Sequence, residues 1–443
     1  MPTHAYHPVT DLVLLVPGFL GFEEIGGYTY FDEVLVDALR SSLSSRQASV
    51  DDPGCFAVET LDTVPTGSLL QRQAALVAEL CEILEYPSYF DVERVHLIGH
   101  STGGLDARLL LAESRLDGRP WRGPEVSLRR RIRSVLGIAA PHHGTRLVGH
   151  RDLLELSKSL PRFLARRVLD REIHELVLSG LFDLDTAELL RGFLRRPVQG
   201  WALVNSVADN HELLRDLRPD NMARHRDALP VLEDVRFGSI VTMAADHVQQ
   251  PADAAKSGLM GRLGRILRDL RGDRAAPNAR RGDAIFRWLR ARTADPYWES
   301  DDAVDARVEA AAAVRIQAVI DRVGAGREVP VVCNPGAVLP RPVDGTISDG
   351  IVNTVRQLMR PADLDELVGV VIADHLDVIG HFDKVPDPNC PEDQGLIKSG
   401  SGFGHDQLRG MCELMAEHIE LSRRRRRHDS GIVGVAAASS APG

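Results

Sequence analysis

The clearest chemical signal in the sequence is Ser101, which lies inside the segment Gly99-His100-Ser101-Thr102-Gly103. The residues before it, Arg94–Ile98, predict a strand, and the residues after it, Gly103–Glu113, predict a helix. Glycines two positions to either side of a serine allow a turn so sharp that the hydroxyl projects alone above the sheet. We therefore expect Ser101 to be a nucleophile. The alternative is a glycine-rich turn with an idle serine.

A serine that attacks an acyl carbon needs two N–H donors at the point where the oxyanion forms. The residue after the nucleophile, Thr102, supplies the first. The second is expected from the turn after an early strand, and Pro17-Gly18-Phe19-Leu20-Gly21 ends the apolar run Leu12–Val16. We predict the Phe19 amide as this donor, with a plain turn as the alternative.

The general base must be a histidine on a loop after the last strand, because enzymes with a serine at such a strand-to-helix turn follow the chain order Ser, acid, His. His375 follows the predicted strand Leu367–Ala373 and meets this requirement. His381 and His405 are its competitors.

The acid must lie between the nucleophile and the base in the chain. Asp349, in the segment Ser348-Asp349-Gly350-Ile351-Val352, satisfies that order. Asp246, at the end of the strand predicted over Val235–Ala244, is the runner-up. An Asp-Gly turn without a catalytic role is also common.

Several motifs together resemble bacterial triacylglycerol lipases and esterases of the α/β-hydrolase superfamily. The resemblance is carried by Gly18-Phe19-Leu20-Gly21-Phe22, Ile25-Gly26-Gly27, Tyr30-Phe31, the segment from Gly99 to Arg108, Pro141-His142-His143-Gly144-Thr145, and the patches 349–352 and 375–377. It implies an α/β-hydrolase fold, ester hydrolysis, His375 as the base and Asp349 as the acid. Pro17 departs from the pattern, since many members carry His before the glycine.

The same resemblance bears on metal binding. Asp377, two residues past the expected base, stands where many bacterial lipases place a carboxylate that helps to hold a structural calcium ion. Calcium needs several more oxygen ligands, and an ordinary solvent-facing aspartate is the alternative. The expected chemistry itself requires no cofactor.

The elements around these residues alternate between short apolar strands and amphipathic helices, which favours an α/β fold with a mostly parallel sheet. The predicted strands are Leu12–Val16, Phe56–Leu61, Arg94–Ile98, Ser134–Ala140, Val235–Ala244 and Leu367–Ala373. The predicted helices are Phe31–Leu43, Ser68–Leu84, Gly103–Glu113 and Asp406–Ser422.

Two long stretches interrupt the alternation, and they divide the chain into six predicted segments. These are 1–149, the first part of the core; 150–230, a cap of apolar helices; 231–248, a core strand; 249–326, a charged insertion of uncertain order; 327–422, the core with the acid and the histidine; and 423–443, a disordered tail. The run Arg423–Arg427 is interpreted as a solvated helix end.

The composition limits the classes of partner. Of the 443 residues, 44% are hydrophobic and the formal net charge is −10, with both signs mixed, so we expect a globular protein that does not bind nucleic acid. No secretory signal is visible and no apolar run is long enough to span a bilayer, which predicts a cytoplasmic protein whose contact with lipid is interfacial. Five scattered cysteines predict free thiols. Nothing in the sequence specifies an oligomeric state.

The sequence thus predicts a serine hydrolase that cleaves carboxylic esters with hydrophobic acyl chains through an acyl-enzyme. The apolar helices of the expected cap favour a substrate with a lipid-like tail. An acyltransferase with the same residues, or a binding protein that keeps the fold without turnover, are the alternatives.

Overall fold

One parallel sheet of seven strands forms the centre of the molecule. The structure, a computed structural model, describes residues 8–19, 21, 24–25, 28–47, 55–149, 212–226, 234–245, 286–287, 289–294, 303–324, 330–335, 337–359, 366–382 and 399–436. The strands are β1 (Val9–Val16), β2 (Cys55–Thr60), β3 (Arg94–His100), β4 (Ile132–Ile138), β5 (Arg236–Met243), β6 (Val331–Val332) and β7 (Glu366–Ile372). Two short strands, Glu24–Ile25 and Tyr28–Thr29, pair antiparallel outside this sheet.

Helices cover both faces of the sheet. They are α1 (Glu33–Gln47), α2 (Leu69–Ile83), α3 (Thr102–Leu109), α4 (Pro124–Arg131), α5 (Glu212–Asp216), α6 (Pro219–Arg226), α7 (Ala303–Gly324) and α8 (His405–Ala436). Alternate side chains of β1 point to opposite faces, as in any strand. Val13 and Leu15 pack with α1 and α8, whereas Leu12, Leu14 and Val16 pack with α2 and α4. Burial on both faces explains why Leu12–Val16 of β1 is a continuous apolar run.

The order of the strands creates a point where the chain changes direction across the sheet. The order is β2-β1-β3-β4-β5-β7-β6, so the chain leaves β1 toward one edge and returns to the other side of β1 with β3. In open α/β sheets, ligands bind beyond the carboxyl ends of the strands at such a point. Here those two ends are Val16 and His100, which lead directly into the Phe19 turn and Ser101.

The last two-thirds of the chain adds helices that the sequence pattern left undefined. α7 lies within the segment predicted as a charged insertion, and its residues Ala312, Ile316 and Ile320 pack against the sheet at Val241 and Val370. The spacing of four residues places all three side chains on one face of the helix. α5 and α6 lie within the segment predicted as a cap. The limits of the cap and of the insertion stay predictions, because most of both stretches is outside the described residues.

The predicted fold class is confirmed: the sheet is parallel, the helices flank it, and the strand order and serine turn are those of the α/β-hydrolase fold. The interpretation of the arginine run as solvated is wrong for Arg423. Its side chain is 7% exposed and lies 3.3 Å from Asp11, because α8 carries it across the start of β1. None of the helices in the described parts of the chain combines the length and apolar character needed to cross a bilayer.

Candidate active site

Ser101 occupies a strained turn between β3 and α3. Its φ of 54° and ψ of −128° lie in a region that residues other than glycine rarely adopt, and such strain concentrates at functional sites. The flanking glycines are required by close packing: a Cβ on Gly99 would lie 2.3 Å from the carbonyl oxygen of Gly103, and one on Gly103 would lie 2.0 Å from that of Val16. The side chain of Ser101 is thus held above the sheet.

The Phe19 turn lies against Ser101. A Cβ on Gly18 would lie 2.7 Å from the Ser101 Cβ, so only glycine allows this approach. Thr102 is the first residue of α3, and its amide therefore lacks an acceptor within the helix. The two amides that the sequence singled out, those of Phe19 and Thr102, belong to segments that meet at Ser101.

A buried ion pair holds the Phe19 turn in place. Arg72 of α2 is fully buried and bonds to Asp106 of α3, with its Nη2 2.6 Å from Asp106 Oδ2. The same Nη2 donates to the carbonyl oxygen of Pro17 at 2.8 Å, and Nη1 donates to that of Val64 at 2.7 Å. Arg72 thus ties the segment before Phe19 to the helix that begins after Ser101.

Asp349 and His375 are paired beside the carboxyl ends of β5 and β7. His375 Nδ1 lies 2.8 Å from Asp349 Oδ2, and both residues are buried. Because a carboxylate can only accept, Nδ1 donates and Nε2 keeps the lone pair that a general base needs. The His375 amide also donates to the Asp349 carbonyl oxygen at 3.1 Å.

The Asp349 carboxylate receives several further hydrogen bonds. The donors are the amides of Ile351 (2.9 Å) and Val352 (2.8 Å) to Oδ1, and the side chains of Thr242 (2.6 Å) and Gln357 (3.2 Å) to Oδ2. These donors engage both oxygens of the buried carboxylate and fix its orientation. Thr242 and Gln357 carry no motif, so the sequence analysis missed them.

Ser101 lies near His375 because the residue before it, His100, packs against the His375 ring. The imidazole rings of His100 and His375 lie 4.7 Å apart between centroids, and Ser101 is the next residue after His100. No hydrogen bond joins the Ser101 hydroxyl to His375, although the structure describes both residues. Such bonds are often long in the absence of substrate and shorten when it binds.

The competing histidines make contacts away from Asp349. His381 directs Nε2 toward the carbonyl oxygens of Thr29 and Tyr30, each at 3.1 Å. His405 begins α8 and packs edge-on against Phe382. Asp246 lies outside the described residues.

Two apolar clusters adjoin the site, and both include Phe19 and Val148. The first lies on the side of the acid and the histidine and contains Leu147, Leu214, Ala244, Phe286, Leu289, Ile351 and Leu376. The second lies on the side of the nucleophile helix and contains Leu69, Leu105, Leu109, Leu116, Leu213, Leu217 and Met222. At the carboxyl edge of the sheet, α5, α6 and residues 286–287 and 289–294 therefore add buried apolar side chains to those of the core.

Asp377 is buried, so its interpretation as a solvent-facing aspartate is wrong. Its Oδ2 accepts from the Asp374 amide and the Ser401 hydroxyl, both at 3.0 Å, and the Asp377 amide donates to Asp374 Oδ1 at 3.0 Å. Burial raises the pKa of both carboxyl groups, and Asp374 Oδ2 has no hydrogen-bond partner.

The described side chains do not by themselves complete a calcium site. Calcium takes six to eight oxygen ligands. The described residues contain no group of three or more His, Cys, Asp and Glu side chains that could hold a metal. Asp374, which the sequence analysis did not name, supplies only a second carboxylate, and backbone amides and a serine already occupy much of the pair.

A second serine, histidine and aspartate lie in line at the opposite end of the sheet. Ser134 Oγ is 2.9 Å from His96 Nδ1, and His96 Nε2 is 3.2 Å from Asp11 Oδ1. All three are buried by the start of β1, β3 and β4. Ser134 lies within the regular strand β4 and not at a helix N-terminus, so no second oxyanion donor pair faces it.

Comparisons with known proteins agree with the predicted resemblance. Residues 13–211, somewhat less than half of the chain, match the model of a family described as a PGAP1-like alpha/beta domain. A triacylglycerol lipase from Pseudomonas fragi is 31% identical over 135 residues, which are 30% of this chain and 36% of that lipase. The chain thus matches about a third of the length of its curated relative. The resemblance to bacterial lipases inferred from the motifs is confirmed.

Solved structures of similar proteins include lipase 1 from Pelosinus fermentans, with a TM-score of 0.47, 16% sequence identity and coverage of 92% of this chain and 99% of that one. EstA from Clostridium botulinum has a TM-score of 0.45 and 17% identity, and the match covers 93% of this chain and 88% of EstA.

Proposed function

We propose that this protein is a serine hydrolase that cleaves carboxylic esters with hydrophobic acyl chains. The observation that carries the proposal is the buried Asp349–His375 pair at the sheet edge where Ser101 occupies a strained strand-to-helix turn. This combination matches the chemistry of acyl transfer, in which a hydroxyl, an imidazole and a carboxylate act as one unit. The proposed acyl transfer requires no metal ion and no organic cofactor.

In the first half-reaction the Ser101 Oγ attacks the ester carbonyl carbon, and its proton passes to His375 Nε2. The carbonyl oxygen becomes an oxyanion that accepts hydrogen bonds from the Phe19 and Thr102 amides. When the intermediate collapses, the bond to the alcohol oxygen breaks, and that oxygen takes the proton from His375. The alcohol leaves, and the acyl group remains on Ser101.

In the second half-reaction water attacks the acyl-enzyme and gives a proton to His375. The second oxyanion collapses, the bond to Ser101 Oγ breaks, and Oγ recovers the proton from His375. Asp349 does not take a proton in either half. It holds the imidazole in the required tautomer and stabilises the imidazolium that forms twice in each cycle.

The apolar clusters around Phe19 support the choice of a hydrophobic acyl group. Each methylene that leaves water is worth about 0.8 kcal/mol, so a surface built from leucine, phenylalanine and methionine favours a long tail over acetate. The proposal does not extend to the alcohol portion of the ester.

The test combines an active-site label with a matched control. A fluorophosphonate probe should label the wild-type protein and not Ser101→Ala, and p-nitrophenyl butanoate, octanoate and dodecanoate should be hydrolysed with kcat/KM rising with chain length. Ser101→Ala should lower kcat by roughly 10⁶-fold, the order of loss when a triad nucleophile is removed. Circular dichroism should show an unchanged fold.

Ser134→Ala is the control, because Ser134 also lies in line with a histidine and an aspartate but is buried within β4. It should keep both the labelling and the kcat of the wild type. Labelling that survives Ser101→Ala and disappears in Ser134→Ala would refute the proposed nucleophile.

A further inference from the structure

A buried chain of hydrogen bonds runs beside the proposed catalytic residues, through two side chains that the reaction scheme does not use. The Tyr30 hydroxyl lies 2.7 Å from His100 Nδ1, and His100 Nε2 lies 2.9 Å from the main-chain oxygen of His375. His100 is fully buried and Tyr30 is almost so.

The direction of each hydrogen bond follows from its end groups. The carbonyl oxygen of His375 can only accept, so His100 Nε2 carries the proton and Nδ1 is bare. The bare Nδ1 must then accept from the Tyr30 hydroxyl. The Tyr30 oxygen in turn is bonded by the backbone of Gly18. Burial lowers the pKa of His100 and raises that of Tyr30, so both stay neutral and the tautomer is unique.

The chain joins the three loops that carry the proposed machinery. Gly18 precedes Phe19, the expected oxyanion donor; His100 precedes Ser101; and the last acceptor belongs to His375 itself. The main chain of His375 is held from both sides, since its amide bonds to Asp349 and its carbonyl oxygen to His100. A shift of His100 therefore moves the nucleophile and the base relative to each other.

We propose that Tyr30 and His100 are positioning residues that set the distance between Ser101, the oxyanion turn and His375. This inference rests on the proposed function and adds a requirement to it. The residue between Gly99 and Ser101 must present both a donor and an acceptor, and the residue at position 30 must supply a hydroxyl. Leucine at position 100 fills the space but meets neither need.

The test measures kcat and KM for p-nitrophenyl butanoate in Tyr30→Phe, His100→Leu and His100→Gln, together with urea unfolding of each variant. Tyr30→Phe and His100→Leu should lower kcat by roughly 10-fold to 10²-fold, the loss expected when a reacting group moves by about 1 Å. KM should stay within about two-fold of the wild type, because neither side chain contacts the substrate. His100→Gln, which keeps a donor and an acceptor, should recover most of kcat.

Coupling within the chain gives a second readout. If Tyr30 acts only through His100, the double variant should lose no more kcat than His100→Leu alone, a non-additivity that independent structural damage would not produce. Tyr89→Phe is the matched control, since Tyr89 donates to Glu59 away from the site, and its kcat should equal that of the wild type.

The result that overturns the inference is an active wild type whose kcat is unchanged in folded Tyr30→Phe and His100→Leu. A kcat loss that His100→Gln does not recover, or one that adds in the double variant, also overturns it. A wild type that neither hydrolyses esters nor reacts with a fluorophosphonate refutes the proposed function, and the positioning role with it. Nitrogen NMR of the His100 ring tests the hydrogen-bond chain independently of activity. An unprotonated Nε2 would contradict the chain whether or not the protein hydrolyses esters.

Discussion

At the scale of the residue, the notable feature of Asp349 is that hydrogen-bond donors surround both oxygens of its carboxylate. Its Oδ1 is held by the amides of Ile351 and Val352, which leaves Oδ2 to His375, Thr242 and Gln357. All of these partners can act as donors. The site therefore specifies an acceptor at both oxygens, a condition that an amide side chain cannot meet.

Asp349→Asn should lower kcat by about 10⁴-fold, the loss quoted for the equivalent change in a serine protease, because the amide stabilises the wrong imidazole tautomer. KM for p-nitrophenyl butanoate should change little. Asp344→Asn is the control, since Asp344 lies in the same loop, is exposed and accepts hydrogen bonds from Thr346 through its side chain. Equal activities for the two variants would show that Asp349 is not the acid.

At the scale of the element, the sequence located the strands and helices of the core because their signals are local. The predicted helix Ser68–Leu84 is α2, which begins after Ser68 with a capping box to Gln71. The predicted strand Leu367–Ala373 is β7, displaced by one residue at each end. The spacing of apolar residues and the helix-capping residues depend on neighbouring positions, so a single sequence is enough to recognise them.

The contacts that hold the candidate site in place could not be predicted from local sequence patterns. Glu309 of α7 pairs with Arg356, which bonds to the main-chain oxygen of His143 at 2.6 Å, and Thr293 bonds to Ser348 beside the acid. These contacts join residues far apart in the chain and leave no periodic trace. The segment predicted as an insertion of uncertain order thus contains residues that hold the acid loop.

The helix α5 allows a test of the proposed acyl surface. Leu214→Ala should lower the ratio of kcat/KM for dodecanoate to that for butanoate by roughly 10-fold, because the lost side chain removes on the order of 1–2 kcal/mol of contact with the tail. Leu214 packs in the cluster that includes Phe19 and Leu376.

Leu128→Ala is the control for this change. Leu128 is also buried, on α4, and packs in a cluster that does not include Phe19. Both substitutions should cost about 2–5 kcal/mol of unfolding free energy, but only the first should alter the ratio. An unchanged ratio in Leu214→Ala would place the tail elsewhere.

At the scale of the whole molecule, a cluster around Asp11 links the first strand to the last helix. Asp11 receives hydrogen bonds from Arg94 at 2.6 and 2.7 Å and lies near His96 and Arg423. Burial alone would raise the pKa of Asp11, but the bonds from Arg94 and His96 outweigh it and hold the pKa below its usual range. A carboxyl group with a lowered folded pKa stabilises the protein above its unfolded pKa, and that stability is lost as the pH falls.

Asp11→Asn should lower the unfolding free energy at neutral pH by about 3–5 kcal/mol, because it leaves buried cationic partners without their anion. The difference from the wild type should shrink below about pH 4, by about 1.4 kcal/mol for each pH unit, as the unfolded wild type becomes protonated. Urea unfolding from neutral pH to about pH 3 would measure it. A constant difference over that range would assign the acid sensitivity to another group.

Asp220→Asn is the exposed counterpart of this variant. Asp220 pairs with Arg218 at the surface, with 60% of its side chain accessible, so its removal should change the unfolding free energy by less than about 1 kcal/mol at any of these pH values.

The spacing of the proposed catalytic residues along the chain has a consequence for translation. Phe19 and Ser101 are synthesised before Asp349 and His375, which lie on loops that precede and follow β7. A growing chain therefore carries Ser101 before it contains the proposed acid and base, and domains fold in the order in which they emerge. Because His375 follows β7, which pairs with β5, we expect no ester hydrolysis by the nascent chain before β7 has joined the sheet.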